Sequence, residues 1–295
     1  MNTSLGAWVL AIRPKTLFAS LAPVVLGTAW AFHCGSFRGE EAICALVAAF
    51  GIQIGTNLAN DYYDARKGAD REDRVGPVRV VAAGLLPART VFIGMLVAFL
   101  IAALAGLFLA SRAGGIVIVI GAVSMACGIL YTAGPFSLAY LGLGDVFSFF
   151  FFGCLATAGT SFVQTKAWAP EPWLLGMLPG FYSVALLALN NLRDYEADVR
   201  SRKKTLIVRL GRKFGRLEIA VCLLAPALAG WMLWPWASAG AAVSTSAAAL
   251  VFGIPLTRRM WTIQNPVSYN ALFPATAAAS LAVCLCAATG LVLTR

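Results

Sequence analysis

Long apolar runs, broken by short charged stretches, set the rhythm of this chain. Nine stand out: 17–32, 42–55, 91–110, 114–131, 141–158 and 173–189, then roughly 217–234, 237–256 and 270–293. Each is close to the length a helix needs to cross a hydrocarbon core of roughly 30 Å. Several contain Gly or Pro, which spanning helices tolerate where neighbouring helices re-satisfy the backbone. The pattern predicts an all-α, polytopic membrane protein of about nine transmembrane helices, folded as one transmembrane domain over residues 1–295.

Composition agrees with the pattern. The 295 residues are 60% hydrophobic and 12% charged, with a mean hydropathy of +0.79, the signature of a chain whose solvent is largely lipid. The first run follows a polar-flanked entry with Trp8 and "RPKT" and no convincing A-x-A site, so it reads as a span rather than a secretory signal. Seven cysteines sit singly in or beside apolar runs without a C-x-x-C pair, as small buried hydrophobes do. His33 is the only histidine, which excludes a histidine-based metal cluster.

The placement of charge tests the count of spans. With nine alternating spans, one set of loops holds the N-terminus and 61–90, 132–138, 193–216 and 257–269, and it carries 19 of the 23 Lys and Arg. The other set holds only Arg38, Arg112, Lys166 and Arg295. Positive residues gather on the cytoplasmic side, so the N-terminus is expected inside and the C-terminus outside. A net charge of +10 is then an excess on one face, and gives no indication of nucleic-acid binding.

Topology does not explain the acids. "NDYYDARKGADREDR" (60–74) holds Asp61, Asp64, Asp70, Glu72 and Asp73, and "NNLRDYEAD" (190–198) holds Asp194, Glu196 and Asp198. Both stretches open on asparagine where an apolar run ends. Asn60 and Asp64 are four apart, Asn57, Asp61 and Asp64 are spaced by four and three, and Asn190, Asp194 and Asp198 by fours. Such spacings share one helix face. Two sets of carboxylates and amides on one membrane face suit Mg²⁺, which binds a few carboxylates together with a substrate's phosphates. Arg66, Lys67, Arg71, Arg74 and Arg79, with Arg193, Arg200, Arg202, Lys203 and Lys204, are candidates to hold the remaining phosphate oxygens. Asp145, near the start of the fifth run, is a candidate pocket acid, since ionisable groups at membrane depth are expensive.

These motifs resemble those of the UbiA-type superfamily of intramembrane prenyltransferases. The menaquinone branch, the 1,4-dihydroxy-2-naphthoate polyprenyltransferases, is the most similar. The matching stretches are "RPKTL" (13–17), "NDYYDARKGAD" (60–70), "GPVRVVAAGLLP" (76–87), "YTAGPFSLAYLGLGD" (131–145), "FFFFG" (149–153) and "NNLRDYEAD…KKTLIVRLG" (190–211). The resemblance implies nine helices around a central cavity that opens at the cytoplasmic face of a bacterial inner membrane. It also implies Mg²⁺ and a polyprenyl diphosphate bound by two Asp-rich motifs.

Carried over residue by residue, Asn60, Asp64, Asp194 and Asp198 become the leading Mg²⁺–diphosphate ligands, supported by Asp61 and Asn190. Lys67, Arg74, Arg79, Arg193 and Lys204 become the cations on the diphosphate. Asp70, Tyr131 and Asp145 would line the acceptor's part of the cavity. The implied reaction transfers a polyprenyl group to 1,4-dihydroxy-2-naphthoate with loss of CO₂ and diphosphate. An allylic cation would form and be trapped by the electron-rich ring, and the aromatic faces of "FSFFFF" (147–152) could shield it.

Three departures separate the chain from the wider pattern: Gly68 where many members carry an acid, Pro135 where many carry a lysine, and Arg202 where the branch usually has glycine. Pro135 argues against a 4-hydroxybenzoate-type acceptor. A relative with another aromatic or lipid acceptor is the nearest rival reading, and a transporter of phosphorylated anions a more distant one.

Overall fold

The computed structural model describes residues 4–66, 75–133, 142–201 and 203–295, and among them every regular element is helical. Lys67, Gly68, Asp70, Arg71, Glu72, Asp73, Arg74, Pro135 and Arg202 lie outside the described residues. The chain opens with a short helix, α1 (Ser4–Ile12). It continues through α2 (Pro14–His33), α3 (Gly39–Arg66), α4 (Ala88–Ala113), α5 (Ile116–Leu130), α6 (Gly144–Thr165) and α7 (Glu171–Arg193). Two short helices come next, α8 (Tyr195–Arg200) and α9 (Leu206–Leu210). The last three are α10 (Arg212–Leu233), α11 (Ala239–Thr262) and α12 (Pro266–Leu293).

Eight of these, α2, α3, α4, α6, α7, α10, α11 and α12, are long and apolar enough to cross a membrane. The remaining run, 114–131, folds as α5, a helix of only 15 residues, about 22 Å long at 1.5 Å per residue. It is short because Gly114, at φ 97, ends α4 and Tyr131–Ala133 turn the chain after Leu130. Large apolar side chains such as Leu100, Leu104, Val119 and Val251 point outward, whereas Thr157, Thr245 and Thr276 are fully buried. A bundle with an apolar exterior and small polar groups inside is built for lipid. Tryptophan marks the end opposite the acidic segments: Trp30 meets Trp236 at 6.0 Å, Trp168 meets Trp173 at 5.7 Å and Trp231 meets Trp234 at 5.8 Å. Amphipathic rings settle at such membrane interfaces.

Glycines set how closely the helices approach. A Cβ on Gly27 of α2 would sit 2.4 Å from the Thr157 carbonyl of α6, and one on Gly55 of α3 would sit 2.6 Å from the Phe99 ring of α4. Side chains at these points would force the backbones apart, as at small-residue contacts between membrane helices generally. In α6 one turn is π-helical, Phe150–Leu155. There Gly153 lies against Gly176 and Gly180 of α7, with no room for a Cβ. The extra residue in a π turn advances the register of the downstream turns. Phe147, Phe151 and Phe152 all face the interior cavity, while Phe149 turns to Phe181 and Phe150 to Trp173.

Gly27→Val should lower the thermal midpoint of the purified protein, since overpacking typically costs about 1–3 kcal/mol. Gly106→Ala, where a Cβ meets nothing within 4 Å, should leave it within a degree or two. Equal midpoints for the two variants in a detergent melt would contradict the close-approach argument.

Candidate active site

Both asparagine-led segments end at the same end of the bundle and meet at one cavity of about 940 Å³. Asn57, Asn60 and Asp64 reach it from the last turns of α3, and Asn190 and Asp194 from the end of α7. α7 stops at Asp194, whose backbone (φ −90, ψ 11) leaves the helix. The Asp198 N–H still donates to the Asp194 carbonyl at 2.9 Å, so the spacing of four survives the break and Asp198 also lines the cavity. Ala45 lines it too. Nineteen residues of α3 separate Ala45 from Asp64, about 29 Å of helix, so the cavity runs most of the way across the bundle.

Each cavity carboxylate is matched to a cation. Asp64, 5% exposed, accepts from Arg79 Nη2 at 2.9 Å through Oδ2. Asp194 accepts from Arg193 Nε at 2.8 Å and Nη2 at 2.6 Å, a fork-to-fork pair. Asp198 Oδ1 lies 3.3 Å from Lys203 Nζ. Charges taken out of water are tolerated only when paired in this way. Asp64 Oδ1 is buried without a hydrogen-bond partner among the described residues.

The remaining candidates separate into those that reach the cavity and those that do not. Asp61 is 1% exposed, is not among the lining residues, and accepts from the backbone N–H groups of Val80 and Val81, both at 3.1 Å. It orders the segment that carries Arg79 instead of facing the other carboxylates. Tyr131 lines the cavity beside Gly144. Asp145 is buried just behind the wall, in the first turn of α6. Lys204 is exposed and away from the cavity, whereas Lys203 and Thr205 line it, because side chains alternate along an extended segment. Arg66 points outward onto Tyr62, and Glu196 pairs with Arg212 on the surface.

Residues 20–281 match the UbiA prenyltransferase family. The chain belongs to this family. It is 37% identical over 224 residues to the 1,4-dihydroxy-2-naphthoate octaprenyltransferase of Escherichia coli, covering 74% of this chain and 72% of the relative. It is 39% identical over 208 residues to the protein of the same name from Mycobacterium tuberculosis, covering 70% and 71%. The fold is that of a UbiA homologue from Archaeoglobus fulgidus whose structure is bound to GPP and Mg²⁺. There the TM-score is 0.67 at 14% identity, over 95% of this chain and 99% of that one.

The geometry also brings in residues that spacing and charge left without a role. Arg13, Pro14, Lys15 and Thr16, from the stretch "RPKT", line the same cavity mouth. Arg13 holds a left-handed backbone, φ 56 and ψ 68, between α1 and α2. Such a conformation costs a non-glycine residue on the order of 1–3 kcal/mol and persists only where its surroundings fix it. They do: Asn57 Nδ2 donates to the Ile12 carbonyl at 2.9 Å and to Thr16 Oγ1 at 3.0 Å, and Thr16 Oγ1 donates to the Arg13 carbonyl at 2.9 Å. Asn270, from the start of α12, also lines the cavity. The signal for the first group was the motif itself, whose cations sit immediately before a span.

Asp61→Ala leaves two buried N–H groups without an acceptor, which costs about 1–3 kcal/mol each. The variant should therefore melt several degrees below wild type and exchange amide protons faster at Val80 and Val81. Glu196→Gln, at an exposed acid that pairs with Arg212 on the surface, should match wild type in both readouts. Unchanged exchange at Val80 and Val81 in the Asp61 variant would refute the structural role given to this acid.

Proposed function

We propose that this chain transfers a polyprenyl group from a polyprenyl diphosphate to 1,4-dihydroxy-2-naphthoate, releasing diphosphate and CO₂. The observation that carries the reading is one cavity with two ends of opposite chemistry. Asp64, Asp194 and Asp198 gather with their cations at one end, and an apolar channel continues past Phe151, Phe152 and Gly159 to Ala45. A diphosphate head and a long hydrocarbon tail have those same two characters. Relatives sharing more than a third of the matched residues carry the corresponding activity in their names.

The donor set suits a hard divalent cation. Among the described residues no three His, Cys, Asp or Glu side chains cluster into a closed metal site, and Mg²⁺ does not ask for one, since it keeps waters and shares its shell with phosphates. The unpartnered Oδ1 of Asp64, the carboxylates of Asp194 and Asp198, and the amide oxygens of Asn60 and Asn190 would hold it, with Asp61 supporting through the loop. When bound, Mg²⁺ supplies Lewis acidity that neutralises the charge leaving with diphosphate.

The chain's own side chains account for the rest. Arg79 and Lys203 hold diphosphate oxygens, joined by Arg13 and Lys15 at the mouth and by Lys67 and Arg74 from the first acidic segment. The allylic C–O bond breaks and its electron pair leaves with diphosphate. Phe147, Phe151 and Phe152 present ring faces to the resulting cation, and the enclosed cavity keeps water away. The carboxyl-bearing carbon of the naphthoate ring attacks, and loss of CO₂ returns an electron pair to the ring. That step needs no base and yields demethylmenaquinol, whose oxidised form is demethylmenaquinone. Tyr131 and Asp145 shape the acceptor's part of the cavity. The excess of Lys and Arg on the acidic face supports an orientation with that face in the cytoplasm of a bacterial inner membrane.

In nanodiscs with geranylgeranyl diphosphate, Mg²⁺ and 1,4-dihydroxy-2-naphthoate, wild type should release CO₂ and form the prenylated quinol, and EDTA should stop both. Asp64→Ala and Asp194→Ala should each lower kcat by at least about 10²-fold, as loss of one preorganised electrostatic group does elsewhere. Turnover with a different aromatic acceptor alone would overturn the naphthoate assignment.

Lys203→Ala should raise the KM for the diphosphate about tenfold, or about 1.4 kcal/mol, while Lys204→Ala stays near wild type. The reverse order would return the role to Lys204.

A further inference from the structure

The two acidic segments belong to different helices, yet a single side chain from a third element bonds to one of them and to the residue that follows the other. Asn270 sits in the tight turn Pro266–Ala271 that opens α12 and lines the cavity. Its Oδ1 accepts from Arg193 Nη1 at 2.9 Å, and its Nδ2 donates to the Val75 carbonyl at 3.3 Å. A guanidinium only donates and a carbonyl only accepts, so these partners fix which way the amide faces. Arg193 is the cation whose other donors, Nε and Nη2, grip both oxygens of Asp194. Val75 directly follows the first acidic segment, 60–74.

We infer that Asn270 is a positioning residue of the diphosphate site: its amide holds the Arg193–Asp194 pair in register with the chain that leaves the first acidic segment. The inference rests on the prenyl-transfer reading for its ligand. Arg193 is 4% exposed, with its guanidinium 5.9 Å from the Phe273 ring, and Phe273 lies on the same α12. Guanidinium and carboxylate are thus fixed from the far side by the last helix. Partners that orient a ligand-holding carboxylate typically matter 10–100-fold for the bound ion. The chemistry is particular to an amide. Aspartate at 270 would still accept from Arg193 but could not donate to the Val75 carbonyl, and alanine could do neither. Glutamine keeps both functions on a longer stem.

The experiment titrates geranylgeranyl diphosphate, at several Mg²⁺ concentrations and without any acceptor, into detergent-solubilised wild type, Asn270→Ala, Asn270→Asp and Asn270→Gln. Calorimetry reads the binding, and amide hydrogen exchange is followed over residues 75–81. Asn270→Ala should weaken Mg²⁺-dependent binding about tenfold or more, and Asn270→Asp should resemble it. Both should speed exchange over 75–81. Asn270→Gln should recover most of the affinity and the protection. An alanine variant that binds as tightly as wild type overturns the inference, as does an aspartate variant with wild-type exchange. Loss of thermal stability in all three variants with unchanged affinity in the folded fraction would also overturn it. Wild type that binds the diphosphate with Mg²⁺ but turns over no naphthoate would sink the acceptor assignment and leave this test intact.

Discussion

Three carboxylates at one end of a lipid-embedded bundle repel one another, and taking each from water costs several kcal/mol unless it is paired. The rest of the site depends on how that repulsion is contained. Asp64 has Arg79, Asp194 has Arg193 and Asp198 has Lys203, and each cation is itself located by another part of the chain. Arg79 rides on a segment pinned by Asp61 through the N–H groups of Val80 and Val81. Arg193 is steadied by Asn270. Lys203 comes just after the turn that ends α8, where its N–H donates to the Asp198 carbonyl. On the proposed prenyl-transfer reading, an incoming diphosphate and its metal ion would meet charges already in place, with little reorganisation left for the moment of reaction.

The apolar part of the cavity depends on the same economy of space. Close contacts at Gly27 and Gly55 draw α2 to α6 and α3 to α4, and three phenylalanines of α6 lie on the inner wall at or just before its π turn. Ser148 and Leu155, four before and three after Phe152, line the same wall, so the aromatic surface follows ordinary helical spacing.

The spans and the two acid sets were legible because both are periodic: runs of about 20 apolar residues, and spacings of three and four. Periodicity also misled. Asp61 satisfies the spacing with Asn57 and Asp64, yet it points to the flanking loop, because two unpaired N–H groups there offer a carboxylate better partners than a shared cavity does. Lys203 and Lys204 are adjacent and chemically alike, and only the extended backbone between α8 and α9 tells them apart. Asn270 left no local trace at all. Its partners lie 77 and 195 positions away, and a lone asparagine before an apolar run reads as an ordinary turn residue. The run 114–131 is apolar throughout, yet its helix covers only Ile116–Leu130, shorter than the eight helices long enough to cross a membrane.

That short helix has a mechanical consequence. α5 is about 22 Å long and forms part of the cavity wall through Gly121 and Met125, while the surrounding hydrocarbon is roughly 30 Å thick. Local thinning of the bilayer, or flanking side chains that reach past the helix ends, would make up the difference at a fraction of a kcal/mol for every ångström of mismatch. The thickness of the host membrane would then bear directly on one wall of the cavity.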